Sequence, residues 1–208
     1  MKRCLEKASS NRFLDLAYAA VPRFIKKIDD NFVVLLSNLI PSKSKVLDIG
    51  CGTGSILGYL KTKRKDLDLY GLDSSKFMVS KAKQKNIKIK EGDARKTSFS
   101  KNYFDVVISS SLLHHIAKPK KAIYEMFRIT KQQGIIVIRD LIRPDTLRDL
   151  QKIVSNRRIP YPQKLLLKNS LKAAFTLDEI RSILFDLKIT DYKILKRGIR
   201  FILIIKKN

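Results

Sequence analysis

The sequence predicts an α/β protein: a doubly wound, mostly parallel seven-stranded sheet ending in an antiparallel hairpin, with N-terminal helices and a helical lid insertion. Three observations predict it. Apolar runs of strand length alternate with helix-length amphipathic segments between residues 44 and 140, the pattern of βαβ units. The first of these runs breaks into three glycines within five residues, a turn suited to the ligand crevice of such sheets. The last two runs are joined by three residues, too few for a crossover, so they pair as a hairpin.

Residues 11–40 are helical in pattern, split at Pro22 and closed by Pro41, because proline removes an amide and collides with the preceding turn. Residues 45–49 (KVLDI) read as a short buried strand, 67–72 (LDLYGL) as a second and 87–90 (IKIK) as a third. Further strands are expected at 104–108 (FDVVI) and 134–138 (GIIVI), with helices at 56–62, 76–85 and 119–130 between the runs. Right-handed crossovers then cover both faces of the sheet. Thr176-Leu177-Asp178-Glu179 is a capping box, and Phe175 and Ile180 stand where a hydrophobic staple closes over it. A helix from Leu177 to about Leu187 follows, then strands at 189–195 and 199–205 joined by Lys196-Arg197-Gly198.

With 208 residues and 44% hydrophobic content, one domain with an ordinary core is expected. It divides into N-terminal helices (1–41), a cofactor-binding half (44–140), a lid (141–175) and a final helix with the hairpin (176–208). No apolar run approaches the roughly 18 to 20 residues of a membrane span. The basic N-terminus lacks the apolar segment of a secretory signal. Two distant cysteines, Cys4 and Cys51, suit a reduced, cytoplasmic protein, and with two adjacent histidines they assemble no zinc pattern, so no metal is expected. The net charge is +25, from 44 basic and 19 acidic residues. It is compatible with an anionic partner such as RNA or a membrane surface, and equally with a solvated lysine-rich exterior.

Val46-Leu47-Asp48-Ile49-Gly50-Cys51-Gly52-Thr53-Gly54 lies where the first strand turns into the first crossover helix. Glycines there let backbone approach a ligand closely. Asp73 ends the second strand, where a carboxylate can accept from both hydroxyls of a ribose. A dinucleotide fingerprint would place its third glycine at position 55, which is Ser55, with the glycine one place early at Gly54. Spacing alone therefore leaves open a nicotinamide or flavin dinucleotide, another nucleoside cofactor, and a turn without ligand.

The segment VLDIGCGTGSI resembles the first motif of class I S-adenosylmethionine-dependent methyltransferases, a Rossmann-like family. LYGLDSS, KEGDARKTSF, FDVVISSSLLHHI and GIIVIRDLIRP follow in that family's order over residues 44–144, and the terminal hairpin fits its strand order. SSSLLHHI most resembles the small-molecule branch that includes the ubiquinone and menaquinone biosynthesis methyltransferases. The resemblance implies S-adenosylmethionine as cofactor and S-adenosylhomocysteine as product. Gly50, Cys51, Gly52 and Gly54 would turn against the methionine part, with Asp48 orienting its ammonium through a water. Asp73, with Ser74 beside it, would hold the ribose, Met78 would pack on adenine, and Asp93 and the Ala94 amide would bond to the base. Ser109 and Ser110 would border the transferred methyl. Residue by residue, Met78 also reads as plain core, Asp93 as a cap for the turn at Lys96, and Cys51 as a small packed residue.

Methyl transfer from a sulfonium is an in-line displacement in which the protein aligns the acceptor and excludes water. A weak acceptor also needs a base, and His114 and His115, the chain's only histidines, follow the fourth strand at the expected mouth of the site. They are candidates for base, acceptor-positioning group or adenine wall. Ile108-Ser109-Ser110-Ser111 lacks the Asn/Asp-Pro-Pro-aromatic motif of nucleobase amino methylation and the cysteine of cytosine C5 methylation. A small-molecule acceptor is thus expected; RNA-directed methylation and a non-catalytic cofactor-binding subunit are the alternatives. The lid carries Arg143, Arg148, Lys152, Arg157, Arg158, Lys164, Lys168 and Lys172 against Asp145 and Asp149, and Tyr161 sits between Pro160 and Pro162 in an expected exposed turn. Arg12 or Tyr18 would complete the lid toward the cofactor carboxylate.

Overall fold

The computed structural model describes residues 22–83, 87–156 and 159–208, with residues 22–30 as backbone only. The expected helix over 11–21, Cys4, Arg12, Tyr18, Lys85, Arg157 and Arg158 lie outside the described residues. In chain order the elements are α1 (Pro22–Leu39), β1 (Lys45–Ile49), α2 (Ser55–Lys63), β2 (Asp68–Asp73), α3 (Lys76–Lys83), β3 (Lys88–Glu91) and β4 (Phe104–Ser110). A 3-10 turn (Leu113–His115), α4 (Pro119–Ile129), β5 (Thr130–Leu141), α5 (Leu147–Ser155), α6 (Tyr161–Ala173), α7 (Leu177–Asp186), β6 (Tyr192–Arg197) and β7 (Arg200–Lys206) follow.

The strands form one seven-stranded sheet in the order β3-β2-β1-β4-β5-β7-β6. β1 to β5 pair in parallel, and β7 inserts antiparallel between β5 and β6. The order reverses between β1 and β4, the switch point outside which doubly wound sheets bind ligands. Alternation of side chains divides the core into two layers. Leu47, Ile49, Val107, Ile136 and Ile138 pack with α4 and α7 residues such as Ile123, Met126, Ile180 and Leu184. Val46, Val106, Ile108 and Val137 pack with α2 and with Phe32, Val33, Leu36 and Ile40 of α1 and its end. Those four positions recur at helical spacing, which is why α1 lies along that face.

The capping box forms as expected: Thr176 Oγ1 accepts the Glu179 amide at 3.2 Å and Glu179 Oε2 accepts the Thr176 amide at 2.9 Å. Phe175 and Ile180 are buried in one cluster. Several boundaries differ from expectation: β4 runs on to Ser110, β5 runs on to Leu141, and β6 begins at Tyr192 rather than at 189. The fifth strand begins at Thr130 rather than Gly134, because the register against β4 shifts between Phe104 and Val106 and Gln133 takes a φ of 62°. A Cβ at Gly134 would stand 2.6 Å from Thr130 and 2.9 Å from the Asp105 carbonyl, so this irregular segment requires glycine there. The hairpin turn is shorter than expected: Arg197 pairs with Arg200, leaving Gly198-Ile199 as a two-residue turn with Gly198 at φ 58°.

The lid interval holds α5 and α6, which pack on each other around Leu141, Leu150, Leu171 and Ala174. Arg143 is a correction to the basic-lid expectation. It is buried, donating to the Ala174 carbonyl at 2.9 Å and to Glu179 Oε1, and so ties the end of β5 to the cap of α7. Tyr161 opens α6 rather than a turn, with proline in the first helical positions, where a missing amide costs no bond.

Candidate active site

The site grows from the end of β1. Gly50, Gly52 and Gly54 all take left-handed φ values of 74°, 53° and 69°, which side-chain-bearing residues adopt only with strain. Their roles differ. A Cβ at Gly50 would stand 2.8 Å from the Leu112 side chain, whereas one at Gly52 would meet nothing within 4 Å. Gly50 therefore serves close packing, and Gly52 faces open space. The Gly50 and Cys51 amides donate to the Leu72 carbonyl of β2, at 2.7 and 3.1 Å. Cys51 is buried in the packed layer beneath, as its small-residue reading predicts.

Asp73 braces this turn. One carboxylate oxygen accepts the Gly52 amide at 2.8 Å and the other accepts the Ser75 amide at 2.9 Å. These two bonds fix the orientation of the carboxylate at the turn. Ser74 is exposed beside it, and Met78 is buried on α3. Asp48 is 1% exposed, and its Oδ1 has no hydrogen-bond partner. Burial, then the neighbouring charge of Asp73, push its carboxyl up to about 8 against the partial relief of Arg139. An orphaned, neutral carboxyl beside an open glycine turn fits a site completed by a cationic group.

Asp93 is exposed and engaged: its carboxylate accepts the Arg95 amide at 2.8 Å and the Arg95 guanidinium at 2.6 Å, and its backbone carbonyl accepts the Lys96 amide at 3.2 Å. The Arg95 bond holds its carboxyl below the usual range. The turn-capping reading is thus realised, and any bond to a base competes with this ion pair. Ala94 is half-buried against the core.

The far side of the site is built on the ends of β4 and β5. Ser109 is buried with an unpartnered Oγ. Ser110 Oγ accepts from Arg139 Nε at 3.0 Å, and that buried guanidinium lies 4.3 Å from the Phe32 ring. His114 stands not at an open mouth but 2% exposed, with Nδ1 2.5 Å from Asp140 Oδ1. Asp140 also accepts the Leu141 amide at 2.7 Å. Burial raises the Asp140 carboxyl, but the His114 charge and these bonds override it and hold the value below the usual range. His115 is half-buried, its ring 3.9 Å from that of His114. Sequence reasoning missed Arg139, Asp140 and Phe32. The signal was two charges inside the apolar run IIVIRDLI, since charges in a buried strand need partners.

The strand order, with its left-handed glycine turn at the end of β1, is a Rossmann-like fold shared with solved methyltransferase structures. Comparisons with known proteins agree. A family profile described as "Methyltransferase domain" matches residues 47–138. A demethylmenaquinone methyltransferase of Thermotoga maritima is 35% identical over 114 residues, 53% of this chain and 49% of that protein. The match thus spans about half the length of that relative. A ubiquinone/menaquinone biosynthesis C-methyltransferase UbiE of Campylobacter jejuni is 25% identical over 200 residues, 83% of each chain. Among solved structures, the plantazolicin methyltransferase BpumL in complex with SAH superposes with a TM-score of 0.69 at 20% identity, covering 89% of this chain and 90% of that one. The chain thus resembles class I S-adenosylmethionine-dependent methyltransferases, UbiE among them.

Proposed function

We propose that the protein transfers the methyl group of S-adenosylmethionine to a small-molecule acceptor seated over the ends of β4 and β5. One observation carries the reading: the glycine turn is open above Gly52, tied to Asp73, and adjoined by a buried Asp48 with an unbonded oxygen. In this reading Asp48 and the Gly50–Gly54 turn hold the methionine end, and Asp73 with Ser74 the ribose. Met78, Ala94 and Asp93 border the base, and Ser109 and Ser110 border the methyl. The cofactor supplies a methyl already activated on a sulfonium, so the protein's part is alignment and exclusion of water.

The buried hydroxyl of Ser109 is a donor awaiting an acceptor group. His114, fixed by Asp140, is a positioning residue, and His115, half-buried against its ring, would hold the acceptor's proton. The names of the relatives, which refer to quinone biosynthesis, support a small acceptor with an apolar body. Calorimetry with S-adenosylhomocysteine and with NAD tests the cofactor: the first should bind, the second should not. Asp73→Ala should weaken S-adenosylhomocysteine at least about tenfold, the equivalent of one charge-assisted bond. Unchanged affinity in that variant overturns the assignment. With methyl-labelled cofactor and a cell extract, label should enter the small-molecule fraction. Label in RNA instead overturns the acceptor class.

A further inference from the structure

We propose that the face formed by α5 and α6 docks on an anionic lipid surface. The two helices enclose an open groove of about 370 Å³, floored by Leu150 and Val154 and flanked by Tyr161, Leu165, Lys164 and Lys168. Tyr161 is 77% exposed and Leu165 47%. On α6 these residues recur as Tyr161, Lys164, Leu165 and Lys168, the spacing of one helix face. On α5, Leu147 is 60% exposed and stands three residues before Leu150, so it prolongs the apolar floor toward solvent. Large apolar side chains this exposed, gathered on one face, mark an interaction surface.

Charge identifies the partner. Five cations of α5 and α6 (Arg148, Lys152, Lys164, Lys168 and Lys172) stand with one acid, Asp149. That acid is engaged at the helix cap, where Thr146 Oγ1 donates to it at 2.6 Å. Cations around protruding aliphatic groups are the chemistry of a helix face lying in the headgroup layer, with leucine in the acyl boundary and lysine at phosphate. RNA fits less well, because Leu147 and Leu165 offer no face for a base to stack on and Tyr161 is the only aromatic of the groove. Among the described residues no helix is long and apolar enough to cross a membrane, so the contact is peripheral. α6 also packs on the 3-10 turn that carries His114, which places the docked face next to the acceptor wall. The proposal concerns the lid surface and stands independently of which acceptor is methylated.

Sedimentation of the full chain with lipid vesicles tests it. The protein should pellet with phosphatidylcholine vesicles containing phosphatidylglycerol and not with phosphatidylcholine alone; no binding to the anionic vesicles overturns the proposal. Each lysine near an anionic surface contributes about a fivefold factor, so Lys164→Gln with Lys168→Gln should weaken binding about twenty-five-fold. Leu165→Ser keeps the charge and should weaken it roughly fivefold to tenfold by removing inserted apolar surface. Leu147→Ser, at a more exposed position, keeps the test decisive if Leu165→Ser disturbs the lid. Retained S-adenosylhomocysteine affinity reports that each variant is folded. Unchanged binding in both leucine variants overturns lipid insertion. A lysine variant that loses RNA binding but keeps vesicle binding makes this an RNA surface and overturns the proposal.

Discussion

Replacing Asp48 by asparagine separates two demands that the site makes on one carboxyl. Folding buries that group beside Asp73 and raises it from 3.8 to about 8, while the proposed binding of the cofactor's ammonium calls for its charge. A carboxyl raised by folding binds its proton more tightly in the folded chain than in the unfolded one. Its contribution to stability is therefore full in acid and is lost as pH rises from 3.8 to about 8. At roughly 1.4 kcal/mol per pH unit, the loss between pH 3.8 and pH 7 reaches about 4 kcal/mol. Asparagine has the same shape and no proton to lose, so Asp48→Asn should escape this loss. For a chain of this size, that corresponds to a melting temperature about 10 °C higher than wild type at pH 7.

The assay is a pair of thermal melts of the ligand-free protein in buffers across that range. The two curves should coincide in acid and diverge steadily as pH rises. S-adenosylhomocysteine binding should move the other way, falling tenfold to a hundredfold in the variant, because a charge-assisted contact contributes about 1.5 to 3 kcal/mol. Greater stability with weaker binding is the signature of a group strained for function. Melting curves that stay parallel across the whole range would show that Asp48 is not held neutral in the empty site, and the argument would fail.

The glycine turn and the histidine pair give further expectations. Gly52→Ala should cost only the roughly 1 to 2 kcal/mol of a left-handed alanine, yet lower S-adenosylhomocysteine affinity by more than about tenfold, because its methyl enters the open space above the turn. Gly50→Ala should lower the melting temperature further, since the same strain is joined by a clash with Leu112; denaturation and calorimetry on the two variants check the contrast. Asp140→Asn should destabilise by about 3 kcal/mol near pH 5, as expected when one partner of a buried pair is removed. The Asp140 value is depressed, so its stabilisation is present above 3.8 and lost as pH falls below it. The deficit of the variant should therefore vanish in strong acid, and acid titration of the melts reads this directly.

What was legible in the sequence was local or written into the backbone. The Thr176–Glu179 capping box needs only four residues, and it forms as expected. The glycines at 50, 52 and 54 marked a tight turn, and all three take left-handed backbone. The strand boundaries that shifted depend on partners. Lys131, Gln132 and Gln133 carry no strand pattern, and the fifth strand reaches back to Thr130 only because Phe104 pairs with it. Lys196 and Arg197 looked like turn residues, yet β6 is an edge strand whose charged side chains face water, and Gly198 alone supplies the left-handed position. At the site, the placement of Asp48 and Asp73 was legible because both lie at or next to the ends of strands that flank the switch point. The partnership of His114 with Asp140 was not, because it joins positions 26 residues apart and depends on which residue of a 3-10 turn faces the sheet.

Alternation along the strands explains why the site has two unlike walls. Side chains at every second position share a face, so Asp48 lies on the side of Val46, Ser110 on that of Ile108, and Arg139 on that of Val137. This is the α1 face, and there Arg139 meets Phe32 and tempers Asp48. One residue earlier or later the chain points to the other layer. Ser109 continues the Val107 row and Asp140 the Ile138 row, toward the α4 side, where His114 closes over Asp140. A one-residue slip of β5 against β4 would turn Arg139 and Asp140 each to the opposite face, taking the cation away from Asp48 and the acid away from His114. The register that pairs Ser110 with Arg139 is therefore what gives each wall its charge.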